Sequence, residues 1–364
     1  MHVGMSVVFQ NPDRARPDHE VWRDDLKLAD LAEPLGFDSI WTVEHHFTDY
    51  MLAPNPMQFL TYMAGRTKSV QLGSMVMVLP WHDPMWQAEQ IAMLDTISEG
   101  RLILGIGRGA ALVEFDGFGV RMDESRPRFN ESAQMLLEGL EQGYCAFDGE
   151  YIKQPRRDIR PQPSRTFKGR TYAASVSPES LPVMVRLGVG LLIIPQKPWA
   201  EVEKELATYR AAYRETHKAP PPAPIVAGWT FVDESADRAE EMARKYIAGY
   251  FRSVLKHYEF AKPHMKTTKG YEYYGKITDK IAQVGEEQFV EFFMSLQVFG
   301  TPEQCLESIL GVRERLSSEA FVGVFSYTGM PHEEAERNLR LFVKEVMPEL
   351  KALEPLHADQ SNVA

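Results

Sequence analysis

Apolar residues along this chain gather into short runs, separated by longer stretches in which they recur every three or four positions. Runs at 2–9, 38–43, 70–79, 102–106, 172–176, 190–195, 225–231 and 320–326 have the length and apolar or β-branched content of strands buried on both faces. Helical patterns lie between them, near 18–35, 55–66, 84–98, 128–143, 178–187, 198–215, 235–260 and 332–350. Strand and helix alternating in this order predict an α/β fold with a parallel sheet. Eight repeats fit a (β/α)8 TIM barrel better than an open sheet, because the last strand can close on the first.

Two stretches fall outside the repeats, so the expectation is a single barrel domain over 1–364 with insertions after strands 4 and 7. Residues 146–168 are rich in Pro, Arg and Gly and hold a candidate hairpin at 147–153. Residues 262–298 carry Lys266, Lys269, Gly270 and Gly275. A long insertion after a barrel strand is a candidate lid, with a surface excursion or a dimer contact as the alternative. An extra helix at 302–315 has a clear start, with Thr301 as N-cap, Pro302 at N1 and Gln304 as capping-box partner.

Forty basic against fifty-one acidic side chains leave a net charge of −11. That balance argues against a nucleic-acid or anionic-membrane surface, which needs a basic face. No apolar run approaches a membrane span, and Met1-His2-Val3-Gly4-Met5 lacks the features of a signal peptide. Cys145 and Cys305 form neither a disulfide framework nor a zinc-ligand spacing, as expected in a reducing compartment. A cytoplasmic enzyme is the expectation.

Chemistry-bearing residues cluster at predicted strand ends. The second strand runs into Glu44-His45-His46-Phe47. Neighbouring side chains of an extended chain point to opposite sides, so His45 and His46 do not share one centre, which counts against a metal site. One imidazole at the catalytic mouth is the functional reading, and a pair of structural histidines is the other. Glu44 is either a carboxylate partner orienting His45 or a rim ion-pair residue. After the fourth strand, Gly105-Ile106-Gly107-Arg108-Gly109-Ala110 nominally matches a dinucleotide fingerprint. It lies in the fourth repeat, and Asp116-Gly117-Phe118-Gly119 soon interrupts the helix it should open, so that reading is rejected. What remains is a glycine-rich strand end bearing one cation, Arg108, suited to an anion. After the fifth strand, Ser177 reads as an N-cap, Pro178 as N1 and Ser180 as a further hydroxyl, an arrangement that suits phosphate. Arg108 and this cap fall in neighbouring loops and can grip one phosphate together. Met75, Met77, Trp41, Trp81 and Trp86 are either plain core or the lining of an apolar cavity.

Taken together, Glu44-His45-His46-Phe47-Thr48, Gly73-Ser74-Met75-Val76-Met77-Val78-Leu79-Pro80 and His82-Asp83-Pro84 resemble the bacterial luciferase-like flavin monooxygenases. So do Ser98-Glu99-Gly100-Arg101, the glycine-rich strand end, Ser125-Arg126, Gly300-Thr301-Pro302-Glu303 and Val346-Met347-Pro348. The order holds across nearly the whole chain and is densest over 36–127. The resemblance implies a barrel that takes FMN as FMNH2 from a separate flavin reductase, activates O2 as a C4a-peroxyflavin, and oxidises a small, largely apolar substrate. It implies His45 as the catalytic histidine, with Arg108, Ser177 and Ser180 as phosphate ligands. Glu114 aligns with an acidic residue of the same loop, and the bond from Met75 to Val76 matches a cis peptide under the flavin. A homodimer is the expected assembly. Two departures stand out: Gly107 replaces a reactive cysteine beside the flavin, implying a roomier pocket, and Val176 replaces an acidic residue before the phosphate-binding serine. The alternatives are an F420-dependent hydride-transfer enzyme on the same barrel, and a non-catalytic flavin-binding subunit. The latter typically lacks the lid and the histidine that this chain keeps.

Overall fold

In the computed structural model, which describes residues 1–174, 177–260 and 262–356, eight parallel strands among the described residues close on themselves. They are β1 (His2–Val7), β2 (Ser39–Thr42), β3 (Gln71–Ser74), β4 (Leu102–Gly107), β5 (Thr171–Ala174), β6 (Gly190–Ile193), β7 (Ile225–Val232) and β8 (Ala320–Val324). They pair in chain order. The ring closes where β8 pairs with β1, Ala320 beside His2 and Val324 beside Ser6. Helices cover the outside and side chains fill the inside, which is why the strands read as continuous apolar runs. The end of the fifth run, Ser175 and Val176, lies outside the described residues.

Large and small side chains alternate across the barrel interior. Trp41 is fully buried there with Ile103, Leu192, Ile225 and Val322, and its Nε1 donates to Ser39 Oγ at 2.7 Å. Its six-membered ring lies over Gly73 on the neighbouring strand, where a Cβ would come within 2.2 Å of Trp41 Cε3. A side chain at 73 would therefore have to displace the indole, because a close-packed interior has no room to absorb it.

The outer helices are α1 (Asp18–Asp30), α2 (Pro56–Arg66), α3 (Pro84–Ile97), α4 (Leu112–Phe118), α5 (Ser125–Gln142), α6 (Leu181–Leu187), α7 (Trp199–His217) and α8 (Ala236–His257). Asn55, Asp83 and Ser235 each accept a backbone N–H from the first turn that follows. The insertion at 262–298 folds into α9 (His264–Thr267), α10 (Glu272–Val284) and α11 (Glu286–Met294). It is followed by α12 (Pro302–Leu316), which opens on the expected capping box of Thr301 and Gln304. After α13 (His332–Leu341) the last helical stretch passes through a π turn, Phe342–Val346, rather than running straight. No helix among the described residues is long and apolar enough to cross a membrane.

The structure departs from the sequence pattern in four places. The run at 70–79 is broken: β3 stops at Ser74, the Met75–Val76 peptide is cis, and Met77–Val78 then pairs with Ile106 and Gly107. The short helix α4 follows the glycine-rich strand end and stops at Gly119, whose φ of 65° suits a glycine cap. A three-residue strand, Val298–Gly300, pairs with the end of β7. The stretch at 146–168 contributes a hairpin of Tyr144–Asp148 with Lys153–Asp158. It follows α5 and leads into β5, so it belongs to the face opposite the strand C-termini.

Asp25 ties α1 to the strand ends. Its carboxylate is buried and accepts from the Phe9 N–H at 3.0 Å and Ser326 Oγ at 2.9 Å. Burial pushes its pKa up to about 7, against the pull of those two hydrogen bonds. A carboxyl whose pKa is raised on folding stabilises the protein at low pH, and that stability is lost as pH rises to about 7. Asp25→Asn is expected to remove this slope, so that urea denaturation shows the variant gaining on the wild type between about pH 5 and about pH 8.

Candidate active site

The C-terminal ends of the strands surround a cavity of about 1510 Å³ of empty space, its open mouth included. Gly107, Leu192 and Ala227 line it from the strands and Val76 from the break after β3, and Tyr50, Trp229, Tyr250, Tyr258, Phe260 and Tyr274 add aromatic rings. Such a mostly apolar space with a few polar groups is the usual form of a small-molecule site.

One part of the cavity gathers two arginines and two serine hydroxyls. Arg108, the residue after β4, lies over the Tyr271 ring at 4.0 Å and donates to the Gly270 carbonyl at 2.7 Å. Arg126, in the first turn of α5, reaches Ser177 Oγ and the same Gly270 oxygen, each at 3.5 Å. The hydroxyls of Ser177 and Ser180 are 3.0 Å apart. Burial, and then the charge of Arg108, hold the Arg126 pKa below its ordinary value. Two guanidinium groups that repel each other beside two hydroxyls form a site that an anion would neutralise. Asn130 adds a buried Oδ1 with no hydrogen-bond partner in the same cavity.

Ser177 does not cap a helix as the sequence pattern suggests. Its side chain makes no cap hydrogen bond, Pro178–Ser180 is a 3-10 turn, and α6 is only seven residues long. The anion site therefore rests on hydroxyls and arginines rather than on a helix terminus.

His45 and His46 turn opposite ways beyond the end of β2. His45 lines the cavity, and its Nδ1 is 3.0 Å from Glu114 Oε1 on α4. The same oxygen accepts the His46 N–H at 2.8 Å, and His257 Nε2, at the end of α8, stands 3.5 Å from it. Burial raises the Glu114 pKa, but His45 and His257 more than offset this and bring it down to about 2. Glu114 is thus a fixed anion, which directs Nδ1–H of His45 toward itself and leaves Nε2 for the cavity.

Glu44 does not partner His45, because its chain direction carries it the other way. Its carboxylate bonds His46 Nε2 at 3.2 Å, His82 Nε2, and the Val78 N–H at 2.7 Å. These partners outweigh the effect of burial and hold its pKa below the ordinary carboxylate value. Each of the trios Glu44–His46–His82 and His45–Glu114–His257 brings two imidazoles and a carboxylate within ligand distance of one another. In the first, both carboxylate oxygens are already engaged by hydrogen bonds.

Met75 and Val76 both line the cavity. The space freed by Gly107 is not empty: a Cβ there would lie 2.3 Å from Val76 Cγ2. The expected roomier pocket is therefore filled by Val76. The insertion borders the cavity through Tyr274 and is fastened on two sides. Tyr271 Oη donates to the Gly109 carbonyl at 2.8 Å and pairs with Ser125 Oγ at 3.0 Å, while Tyr273 Oη donates to Glu201 at 3.1 Å.

The sequence reading gives Arg126 no role, although Ser125-Arg126 is part of the resemblance, and does not name His257. Arg126 lies between Arg121 and Arg128 with no local pattern that assigns it a ligand, and His257 ends a long amphipathic helix.

Comparison with known proteins gives the same picture. The family model for luciferase-like monooxygenases matches residues 1–319. The chain belongs to that family. An alkanal monooxygenase alpha chain from Aliivibrio fischeri is 28% identical over 327 residues, 87% of this chain and 90% of its own. The monooxygenase RslO1 from Streptomyces bottropensis superposes with a TM-score of 0.77 at 25% identity, covering 96% of this chain and 99% of that one. The oxygenating constituent of 3,6-diketocamphane monooxygenase from Pseudomonas putida, solved with FMN, shares the fold at a TM-score of 0.73 and 19% identity, covering 98% and 99%. A coenzyme F420-dependent tetrahydromethanopterin reductase from Methanopyrus kandleri also shares it, at 0.63 and 21%, covering 96% and 100%. This luciferase-like monooxygenase is therefore an enzyme of a flavin-dependent family.

Proposed function

We propose that this luciferase-like monooxygenase takes reduced FMN from a separate reductase and uses dioxygen to oxygenate a small, largely apolar organic molecule. The observation that carries the reading is the pair Arg108 and Arg126 beside Ser177 and Ser180, at the edge of an apolar cavity that also holds His45. An anion site joined to an apolar space fits a planar ring bearing a phosphate.

Reduced FMN would supply the two electrons that dioxygen takes up. Arg108, Arg126, Ser177 and Ser180 hold the phosphate. Met75 and Val76 contribute to the bed of the ring. Glu114 orients His45, whose Nε2 gives and takes protons inside the cavity. Glu44 acts at one remove, fixing His46 and His82. The aromatic wall and the insertion, acting as a lid, exclude water.

Hydride transfer with F420 is the second reading, and the fold shared with an F420-dependent reductase favours keeping it. Anaerobic titration separates the two. Reduced FMN is expected to bind at least about tenfold more tightly than reduced riboflavin, because charge-assisted hydrogen bonds to the phosphate are worth about 1.5–3 kcal/mol each. Tight binding of F420 with weak binding of FMN would favour hydride transfer.

The assembly we propose is a homodimer through α2 and α3, which expose Tyr62, Trp86, Met93 and Ile97 at 45–56% of their surface. Trp86→Glu is expected to convert a dimer to a monomer by analytical ultracentrifugation, and an unchanged sedimentation coefficient would contradict that face.

A further inference from the structure

His45 and His46 do not share a centre, but the fold gives His45 a different companion. Three ligand-type atoms from three elements come together at the barrel mouth: His45 Nδ1 beyond β2, Glu114 Oε1 on α4 and His257 Nε2 at the end of α8. Nδ1 is 3.0 Å and Nε2 3.5 Å from the shared oxygen. All three atoms lie within 4.8 Å of one another. His257 is 5% exposed, yet its Nε2 makes no hydrogen bond. A buried ring nitrogen of this kind, facing a carboxylate oxygen it does not bond, requires an explanation.

We propose that His45, Glu114 and His257 form a site for a divalent cation of the zinc type, and that zinc bound there switches off the proton chemistry of His45. The second half of the proposal rests on His45 being the proton-transfer residue of the preceding section; the binding itself does not. Two imidazoles and one carboxylate are a set that zinc accepts, with water in a fourth position. Bonds of about 2.0–2.1 Å to nitrogen and oxygen place neighbouring ligand atoms of a tetrahedron about 3.3 Å apart, which lies between the two spacings found here. The outer support is also in place. His257 Nδ1 meets Thr48 Oγ1 at 3.0 Å, the second hydrogen bond by which a ligating imidazole is held in orientation. His45 and Glu114 both line the reaction cavity, which gives the ion its way in.

Binding moves one proton and no electrons. In the metal-free enzyme His45 Nδ1 carries the hydrogen that Glu114 accepts, and Nε2 presents its lone pair to the cavity. Zinc takes the Nδ1 lone pair, and the displaced hydrogen passes by way of water to Nε2. The imidazole stays neutral, but it then offers the cavity an N–H and no base.

The surroundings favour a cation. Glu114 is ionised, and among the described residues it pairs with no lysine or arginine, only with the two imidazoles and the His46 N–H. Lys256, beside His257 in the chain, is turned away to Asp13 and Asp49 at 3.0 and 3.3 Å. Tyr50 stacks on the His257 ring at 4.4 Å and Tyr258 packs edge-on at 4.9 Å, so the ring is held in place. The trio of Glu44, His46 and His82 differs in the decisive respect. Both of its ring nitrogens already bond the carboxylate, and the Val78 N–H takes the other oxygen, so no nitrogen there lacks a partner.

The test uses the full chain, free of flavin and of any histidine tag, and titrates it with zinc chloride in competition with a chromophoric chelator. One zinc per chain is expected. His257→Phe, which keeps the stack on Tyr50, should weaken it by about 100-fold, the effect of losing one ligand. Thr48→Val, which keeps shape and removes only the outer hydrogen bond, should weaken it by about tenfold and serves if His257→Phe does not fold. His82→Ala should bind zinc as the wild type does. The absence of saturable zinc, equal affinity in wild type, His257→Phe and Thr48→Val, or loss of binding in His82→Ala would overturn the proposal. One equivalent of zinc should also lower product formed per oxygen consumed, with reduced FMN binding unchanged and a chelator restoring the yield. Because zinc binding is read without flavin, failure of FMN to bind would defeat the functional reading without touching the metal site.

Discussion

Replacing His45 by alanine is expected to leave reduced FMN binding within about twofold of the wild type while lowering product formation by about 10²–10⁴. The reason is positional. His45 is held by Glu114 Oε1 at 3.0 Å and lines the reaction cavity, whereas the anion site is built from Arg108, Arg126, Ser177 and Ser180 on other loops. Removing the imidazole takes away the proton donor and acceptor but none of the groups that hold the phosphate. Glu114 keeps the His46 N–H at 2.8 Å, so the loop has no cause to collapse. Electrons would still pass to dioxygen without oxygen transfer, and the two-electron product would be hydrogen peroxide. Steady-state product analysis with a peroxide assay reads both quantities, and unchanged coupling between oxygen consumed and product formed would remove His45 from the mechanism.

The second large effect is expected at the anion site. Arg108→Ala or Arg126→Ala alone should weaken FMN by about 10- to 100-fold, the worth of one charge-assisted hydrogen bond. The double variant should lose about 10³-fold. Strict additivity is not expected, since both side chains converge on the Gly270 carbonyl and their mutual repulsion is relieved when one is removed. Riboflavin, which has no phosphate, should bind wild type and variants alike. Equilibrium titration of the two ligands isolates the phosphate contribution, and a parallel loss for riboflavin would mean that the arginines act on the fold rather than on the anion.

Much of this architecture is legible in the chain because barrel strands are buried on both faces and so write themselves as apolar runs. The same property hides the break after Ser74. Both sides of the Met75–Val76 bond are apolar and strand-like, so only the observed backbone separates Gln71–Ser74 from Met77–Val78. The helix carrying Glu114 escapes notice because Gly117 and Gly119 bracket its last turn and argue for a loop. In the site, His45, Arg108 and Ser177 are readable as residues at the C-terminal ends of strands. Their partners are not, because partnership is tertiary. Glu44 adjoins His45 in sequence yet turns to His46 and His82, while the carboxylate that meets His45 is Glu114, brought in by a neighbouring repeat. Arg126 and His257 enter the site for the same reason, from helices whose other residues look like ordinary amphipathic surface. The filled space at Gly107 shows the limit of single-position reasoning, since Val76, in the break after β3, supplies the bulk that position 107 lacks.

Rapid mixing of the enzyme, loaded anaerobically with reduced FMN, against oxygenated buffer tests the central claim most directly. An absorbance transient distinct from both reduced and oxidised flavin is expected, persisting far longer than free reduced FMN survives in the same buffer and shortened in Arg108→Ala. Reoxidation at the rate of free reduced FMN, with no transient, would contradict it.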